Sequence, residues 1–316
     1  MKEKNCLIFG GTGQIGRNLI RKLAKSNYKV MVITRNAHTK GNFIKTQANA
    51  GYIDVVEVNP FDENEIRPYF EKADICINLI GILYEKGKLN SFNNIHAYFP
   101  MMIAKLCHQN KVQQFIHVSA LGIDKAKDSL YATSKLNGEK NVLKYFNNSL
   151  ILRPSIVYSV DDNFSTTFMT LLNRIPIFPL YYNGETKFTP IHCSDMTDII
   201  YHAINKNISS KIVECVGPEI ISFKDIISTL LNLIGKKRIL IPFPIFVAKF
   251  SAKIFELMPD PLLTSDQLKL LRYDNVISKN FATNSSIGIP AKKIFKHEVE
   301  KYCYMWRDGG QYTKNN

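Results

Sequence analysis

No apolar run in this 316-residue chain is long enough to cross a bilayer. The longest, residues 239–248, contains Pro242 and Pro244, whereas a spanning helix needs about 20 apolar residues in succession. None of the six cysteines (Cys6, Cys76, Cys107, Cys193, Cys215 and Cys303) forms a CxxC pair. That spacing excludes the usual zinc and thiol-redox signatures, and the apolar settings of several predict small buried hydrophobes in a reducing compartment. His96, His108, His117, His192 and His202 lack metal-ligand spacing with one another or with carboxylates, so no metal is expected. No Lys/Arg run or nucleic-acid-binding motif is present, so no nucleic-acid partner is expected either. Internal repeats and low-complexity linkers are also absent. Lys2 and Lys4 precede only four apolar residues before the first glycine. This is too little for an export signal or presequence, which predicts a cytoplasmic protein, at most peripheral at an inner membrane.

Acidic residues are scarce. The 41 Lys and Arg outnumber the 27 Asp and Glu, for a net charge of +14. The lysines are scattered beside many Asn, Ile and Phe, a pattern that AT-rich coding also produces. A basic surface nonetheless favours an anionic membrane or an acidic partner. The length allows one large domain or two unequal ones.

The chain opens on a strand, residues 5–9, followed by Gly10-Gly11-Thr12-Gly13-Gln14-Ile15-Gly16. A helix begins near Gln14, with Ile15, Leu19, Ile20 and Leu23 at helical spacing. Strand, glycine turn and helix together form the phosphate-binding start of a dinucleotide-binding βαβ unit. The glycines permit a tight turn and close backbone approach, and free N–H groups at the helix start hold a pyrophosphate. Further strands are predicted at 29–34, 52–58, 75–80, 114–118 and 150–152, and helices at 63–70 and 131–146. This alternation predicts an α/β protein with a Rossmann-like, doubly wound parallel sheet. We expect the nucleotide-binding domain at 1–158, joined by 188–216. There a strand-helix pair (188–192, 195–204) returns to the sheet and 211–215 is its last strand. Ser222 is the expected N-cap of a helix through Leu233. A smaller C-terminal α/β lobe comprises 159–187 and 217–316.

Functional candidates fall at the predicted strand ends. Arg35 ends the second strand, where an NAD site carries Asp or Glu for the ribose 2′-OH. A basic residue there suits a 2′-phosphate, so NADP(H) is favoured over NAD(H), with His38 or Lys40 assisting. Asn78 and Gly81 bracket the exit of the fourth strand, where Gly81 allows close backbone approach to the cofactor. Ser119 ends the fifth. Tyr131 and Lys135 are four apart on the following helix and share a face. A neighbouring ammonium favours the phenolate and lowers the Tyr pKa. These three groups suit proton transfer at a carbonyl or alcohol as hydride moves to or from nicotinamide.

Together these residues resemble the short-chain dehydrogenase/reductase superfamily, in its extended or atypical branch. The resemblance implies that Tyr131 is the proton donor, that Lys135 also binds the nicotinamide ribose, and that Ser119 orients the carbonyl. It also implies that Pro154 and Ser155 of Arg153-Pro154-Ser155 lie near the nicotinamide. Asn59 stands where many members have an Asp that contacts adenine, with Asp62 nearby. The stretch from Ser119 to Tyr131 is shorter than in sugar-nucleotide epimerases.

Arg153-Pro154-Ser155 and three further segments are similar to the NAD(P)H-binding accessory subunit family of respiratory complex I and its bacterial relatives. The three are Phe115 to Gly122, Ser134 to Lys140, and the run that begins Leu263-Thr264-Ser265-Asp266-Gln267 and ends Asp274-Asn275-Val276. This likeness implies a tightly held, mainly structural nucleotide, and complex I subunits or a membrane surface as partners. The expected function is therefore an accessory or assembly-type subunit related to NADH:quinone oxidoreductase. The alternatives are a working NAD(P)-dependent reductase, dehydrogenase or epimerase on an apolar carbonyl or alcohol, and an NADPH-sensing regulatory module. Between residues 243 and 257, Phe246, Phe250, Ile254 and Leu257 recur at helical spacing with Lys249 and Lys253 between them. This reads as an amphipathic helix that either faces a membrane surface or partner or packs on its own lobe, and we expect it to pack on the core of its own lobe.

Overall fold

The computed structural model describes residues 4–312 except Leu257, Asp260 and Leu262; of Lys40 only the backbone is described. Lys2 and Leu257, both used above, lie outside this set.

β1 (Lys4–Phe9) buries Cys6 through Phe9, as a strand covered on both faces must. α1 (Gln14–Lys25) follows the glycine turn and buries Leu19, Ile20 and Leu23. The pattern continues with β2 (Tyr28–Thr34), α2 (Asn42–Lys45), β3 (Ile53–Glu57) and α3 (Glu63–Ile66). Then come β4 (Ile75–Asn78), α4 (Phe99–Gln109), β5 (Gln114–Val118), α5 (Leu130–Tyr145) and β6 (Leu150–Pro154). These six strands pair in parallel in the order β3-β2-β1-β4-β5-β6. The chain reverses its winding between β1 and β4, and ligands of such sheets sit in the crevice beyond the strand ends at that reversal. α1 covers one face of the sheet, α4 and α5 the other, each over its own apolar core.

Beyond β6 the chain alternates between sheet and lobe. β7 (Val157–Tyr158), α6 (Ser165–Arg174), β8 (Ile177–Tyr181), β9 (Lys187–Phe188) and β10 (Ile191–His192) lead to α7 (Cys193–Asn205), which packs beside α1. β11 (Lys211–Cys215) rejoins the sheet beside β6. β12 (Ile221–Ser222), α8 (Phe223–Ile234), β13 (Ile239–Phe243), α9 (Ile245–Phe255) and α10 (Ser265–Leu270) build the lobe. β14 (Ala282–Thr283) returns to the sheet, and α11 (Phe295–Glu300) closes the lobe core.

Three expectations differ from this architecture. β10 does not join the main sheet but pairs with β7 in a separate two-stranded ladder. β11 is not the last strand, because two residues of β14 pair with it in parallel and take the edge. The apolar stripe of α9 does not face its lobe. Ala248 and Ala252 are the buried residues, while Phe246 and Phe250 are 72% and 67% exposed. The lobe meets α9 through small residues, so its large ones point outward.

The reading of Ser222 as an N-cap holds: it caps α8 by accepting from Asp225 N. The indole of Trp306 donates to Thr170 Oγ1 at 2.9 Å and packs on the lobe core. Tyr182 Oη donates to the Leu268 carbonyl within a packed turn. All six cysteines are free and buried. Among the described residues no helix is long and apolar enough to cross a membrane, and no three His, Cys, Asp or Glu side chains cluster as metal ligands.

Candidate functional site

Every residue singled out from the sequence for nucleotide or proton chemistry lies on the glycine turn, at the carboxyl end of a β1–β6 strand or just beyond it, or on the first turns of α5. Gly10 adopts φ +79°, and the turn closes through Gly13 N donating to Gly10 O at 3.1 Å. A Cβ at Gly16 would stand 2.5 Å from the Gly11 backbone. Gly16 is therefore a packing requirement between helix and turn. Gly13 is the N-cap of α1 and supplies no side-chain acceptor, and the first turn has no acidic residue. Unpaired N–H groups and the positive end of the helix dipole are thus left for an anion, as a bound diphosphate requires. Thr12 O accepts from Arg17, and Gln14 Nε2 reaches across to Ser159 Oγ at 2.8 Å, tying the turn to the start of the lobe. Ile15 packs against the sheet core.

The exits of β4 and β5 carry a buried polar cluster. Asn78 Oδ1 accepts from Ile80 N at 3.0 Å, so its amide nitrogen donates to His117 Nδ1 at 3.2 Å. His117 Nε2 is buried with no partner. Ser119 is 4% exposed, and its hydroxyl is likewise without a partner. A buried hydroxyl left unsatisfied costs about 1–3 kcal/mol and invites a ligand oxygen. Lys135 is buried beneath Gly81, with Nζ 3.2 Å from where a Gly81 Cβ would stand and 3.4 Å from Val118 O. Any side chain at 81 would press on the ammonium.

Burial dominates the titration of these groups. It pushes Lys135 down to about 8, against the attraction of Glu139. It pushes His117 down to about 3 and His96 to about 2, with the Lys135 charge acting the same way on both. His96 Nε2 accepts from Ile82 N at 3.1 Å. Nδ1 therefore carries the proton and donates to Ser134 Oγ at 3.0 Å, which in turn donates to Tyr131 O at 2.8 Å. The Tyr131 ring stands edge-on to His96, with centroids 5.2 Å apart. Burial pushes the Tyr131 phenol up to about 12. This reverses the lowering expected from the i, i+4 lysine, because Tyr131 is desolvated where Lys135 gives no compensating attraction.

Two residues from a distant segment shape the same ground. Asp266 accepts from Ser129 Oγ at 2.7 Å, Leu130 N at 2.8 Å and Tyr131 N at 2.9 Å. It thus caps the helix that carries Tyr131 and Lys135. Asn275 donates to Leu121 O at 2.7 Å and accepts from Ser155 Oγ. The run 263–276 stood out in the sequence, but nothing in its composition revealed contacts more than a hundred residues back. Beneath them, Arg153 makes a bidentate pair with Glu139 at 2.8 and 2.6 Å, both residues about 3% exposed. Pro154 is buried in β6, its carbonyl accepting from Leu121 N.

Toward the β2 and β3 ends the site opens. Arg35 is exposed, donates to Asn90 Oδ1 at 3.1 Å and lies over the Phe61 ring. His38 is exposed nearby. Asn59 Oδ1 accepts from Phe61 N, and Asp62 caps α3 through Asn64 N. Both serve the local turn.

The family model described as "NAD dependent epimerase/dehydratase family" matches residues 6–215. The chain is 26% identical over 315 residues to the mitochondrial NADH dehydrogenase [ubiquinone] 1 alpha subcomplex subunit 9 of Arabidopsis thaliana, covering 96% of this chain and 78% of that one. It is 26% identical over 190 residues to a ceramide reductase of Caulobacter vibrioides, covering 60% of this chain and 57% of that one. Among solved structures, the Bordetella bronchiseptica enzyme WbmG in complex with NAD superposes with a TM-score of 0.70 at 16% identity, covering 96% and 94% of the two chains.

Proposed function

This chain belongs to the NAD dependent epimerase/dehydratase family, and from that premise we propose that it is a nucleotide-holding accessory protein related to respiratory NADH:quinone oxidoreductase. The nucleotide is NADP(H), and its main role is to brace the fold. Gly10, Gly11, Thr12, Gly13, Gln14, Ile15 and Gly16 hold the diphosphate, and Arg35 takes the adenosine 2′-phosphate. Asn78, Gly81, Lys135, Pro154 and Ser155 line the ribose and nicotinamide end. When bound, the nicotinamide supplies or accepts hydride; the protein's own groups hold, orient and exclude water. A ligand at a hundred times its dissociation constant stabilises its holder by ~2.7 kcal/mol.

The observation that carries this reading is the run 263–276 laid across the site. Asp266 is committed to the start of α5 and Asn275 to the Leu121 and Ser155 loops. Groups that an open substrate cleft would present are spent on the chain itself. The likeness to the Arabidopsis complex I subunit spans the same run. The absence of an acidic residue at the end of β2 supports NADP(H).

A second reading, a working reductase on an apolar carbonyl or alcohol, is favoured by one observation. The Ser119 hydroxyl is buried without a partner, next to Val118, whose carbonyl lies 3.4 Å from Lys135 Nζ one turn along α5 from Tyr131. Tyr131 would then be a proton donor already protonated at neutral pH.

Purification followed by mass spectrometry of released nucleotide separates them. A holder retains NADP(H) through dialysis, and Tyr131→Phe leaves retention and partner assembly intact. Free exchange of nucleotide, with a turnover lost in Tyr131→Phe, would establish the second reading instead. Arg35→Asp shifts preference toward NAD(H); an unmoved preference would remove Arg35 from the site.

A further inference from the structure

The outer face of α9 exposes apolar residues in a way a solvated surface does not. Phe246 is 72% exposed, Phe250 67% and Ile254 49%. Monomeric proteins rarely gather large apolar side chains in one exposed patch without a partner for it. The helix is turned against its own composition, with Ala248 and Ala252 inward and the aromatic stripe outward. Phe246, Phe250 and Ile254 recur every four residues along one line of α9, and Lys249 and Lys253 flank that line. Both lysines are exposed. The carboxylate of Glu256, just past the helix, accepts from Ser265 N. Lys237, ahead of β13, is a further exposed cation.

We propose that this face seats on the surface of an anionic phospholipid bilayer, with α9 lying in the interface plane. Charge complementarity selects the occupant. The chain carries a net charge of +14, and its exposed apolar line is bordered by lysines. An interfacial helix has this form: aromatic and aliphatic side chains enter the acyl boundary, while lysine stems run along the apolar zone and lift their ammonium groups to lipid phosphates. Juxtamembrane lysines gain from the negative potential of such a surface. A second copy of the chain fits less well, since it would bring Lys249 and Lys253 against cations of the same sign. The inference deepens the accessory reading by naming the surface met by α9, which packs on α10 and is joined through Glu256 and Ser265 to the segment that caps α5. It rests on that reading only for placing a membrane within reach.

The test is flotation of the full chain with vesicles of phosphatidylcholine, with and without phosphatidylglycerol, at low and high salt. The expected result is binding that requires phosphatidylglycerol and weakens with salt. F246S/F250S lowers partitioning more than about a hundred-fold. K249Q/K253Q lowers it about thirty-fold at low salt and far less at high salt. Equal binding to neutral vesicles, no binding, or binding unchanged in both variants would overturn the proposal. So would concentration-dependent dimerisation abolished by F246S/F250S without vesicle binding, which would identify a second copy as the occupant. Nucleotide content is measured on the same samples. Flotation by nucleotide-free protein would sink the nucleotide reading and leave this one standing; retained nucleotide without flotation would do the reverse.

Discussion

Two regions of the molecule depart from the ordinary partition of residues in opposite directions. At the crevice, polar groups are inside: His96, His117, Lys135, Asn78 and the Arg153–Glu139 pair are all nearly inaccessible. On the outer face of α9, apolar groups are outside. Most of the crevice polar groups have partners within the chain, so most of their desolvation is offset there. The apolar exposure has no such internal compensation. One departure is settled by folding, and the other is left for something the chain meets.

Four measurements break or sharpen this contrast. The largest effect belongs to the buried ion pair. Glu139→Ala leaves Arg153 charged and without its bidentate partner, and is expected to cost about 3–5 kcal/mol in urea unfolding. A loss below about 1 kcal/mol would show that Asp124, 3.9 Å from Arg153 Nη1, takes over the charge.

The next effect is acid sensitivity. His96 and His117 are held neutral in the folded state, at about 2 and about 3, against about 6.5 when unfolded. The unfolded chain therefore binds more protons below about pH 6.5, and stability falls as pH falls through that window. Between pH 7 and pH 5 each histidine is expected to remove about 2 kcal/mol. A flat profile in urea midpoints over this range would mean that both are already charged in the fold.

A smaller effect comes from the cap supplied across the molecule. Asp266→Ala removes the acceptor of two α5 backbone donors and is expected to cost about 0.5–2 kcal/mol. It should also raise hydrogen exchange at Leu130 and Tyr131; protection unchanged at both would show that Ser129 alone holds the helix start. The smallest effect is on the outer face of α9. Phe246→Ser touches no core and should leave the urea midpoint within about 0.5 kcal/mol of the parent. A loss of several kcal/mol would mean that the side chain is part of the lobe core, and the contrast would fail.

Legibility from sequence followed the range of the interactions involved. The glycine turn, the parallel strands through β6 and the strand-end positions of Asn78 and Ser119 were all readable, because periodicity and turn chemistry are local. β14 was not, since two residues, Ala282 and Thr283, carry no periodicity and become a strand only because β11 presents an open edge. β10 was read as a sheet strand because its apolar character is real, but its partner is β7. The facing of α9 failed for a related reason. Spacing identifies a stripe, but the surface it meets depends on whether the lobe offers room for phenylalanine or only for alanine. The acidity of Tyr131 depended on burial against charge at one atom, which spacing of four cannot weigh. Asp266 and Asn275 lay inside a run that stood out, yet their partners stand 120 to 154 positions away along the chain.

The late arrival of β14 bears on how the chain is made. A ribosome releases β11 well before Ala282 and Thr283 exist to cover it, and before Asp266 can steady α5. At about 5–20 residues per second the gap from Cys215 to Thr283 lasts roughly three to fourteen seconds. Throughout it the nascent sheet shows a bare strand edge, a template for mispairing with any neighbouring chain. The half of the protein that carries the glycine turn is therefore translated first but keeps an open edge until Thr283 is made.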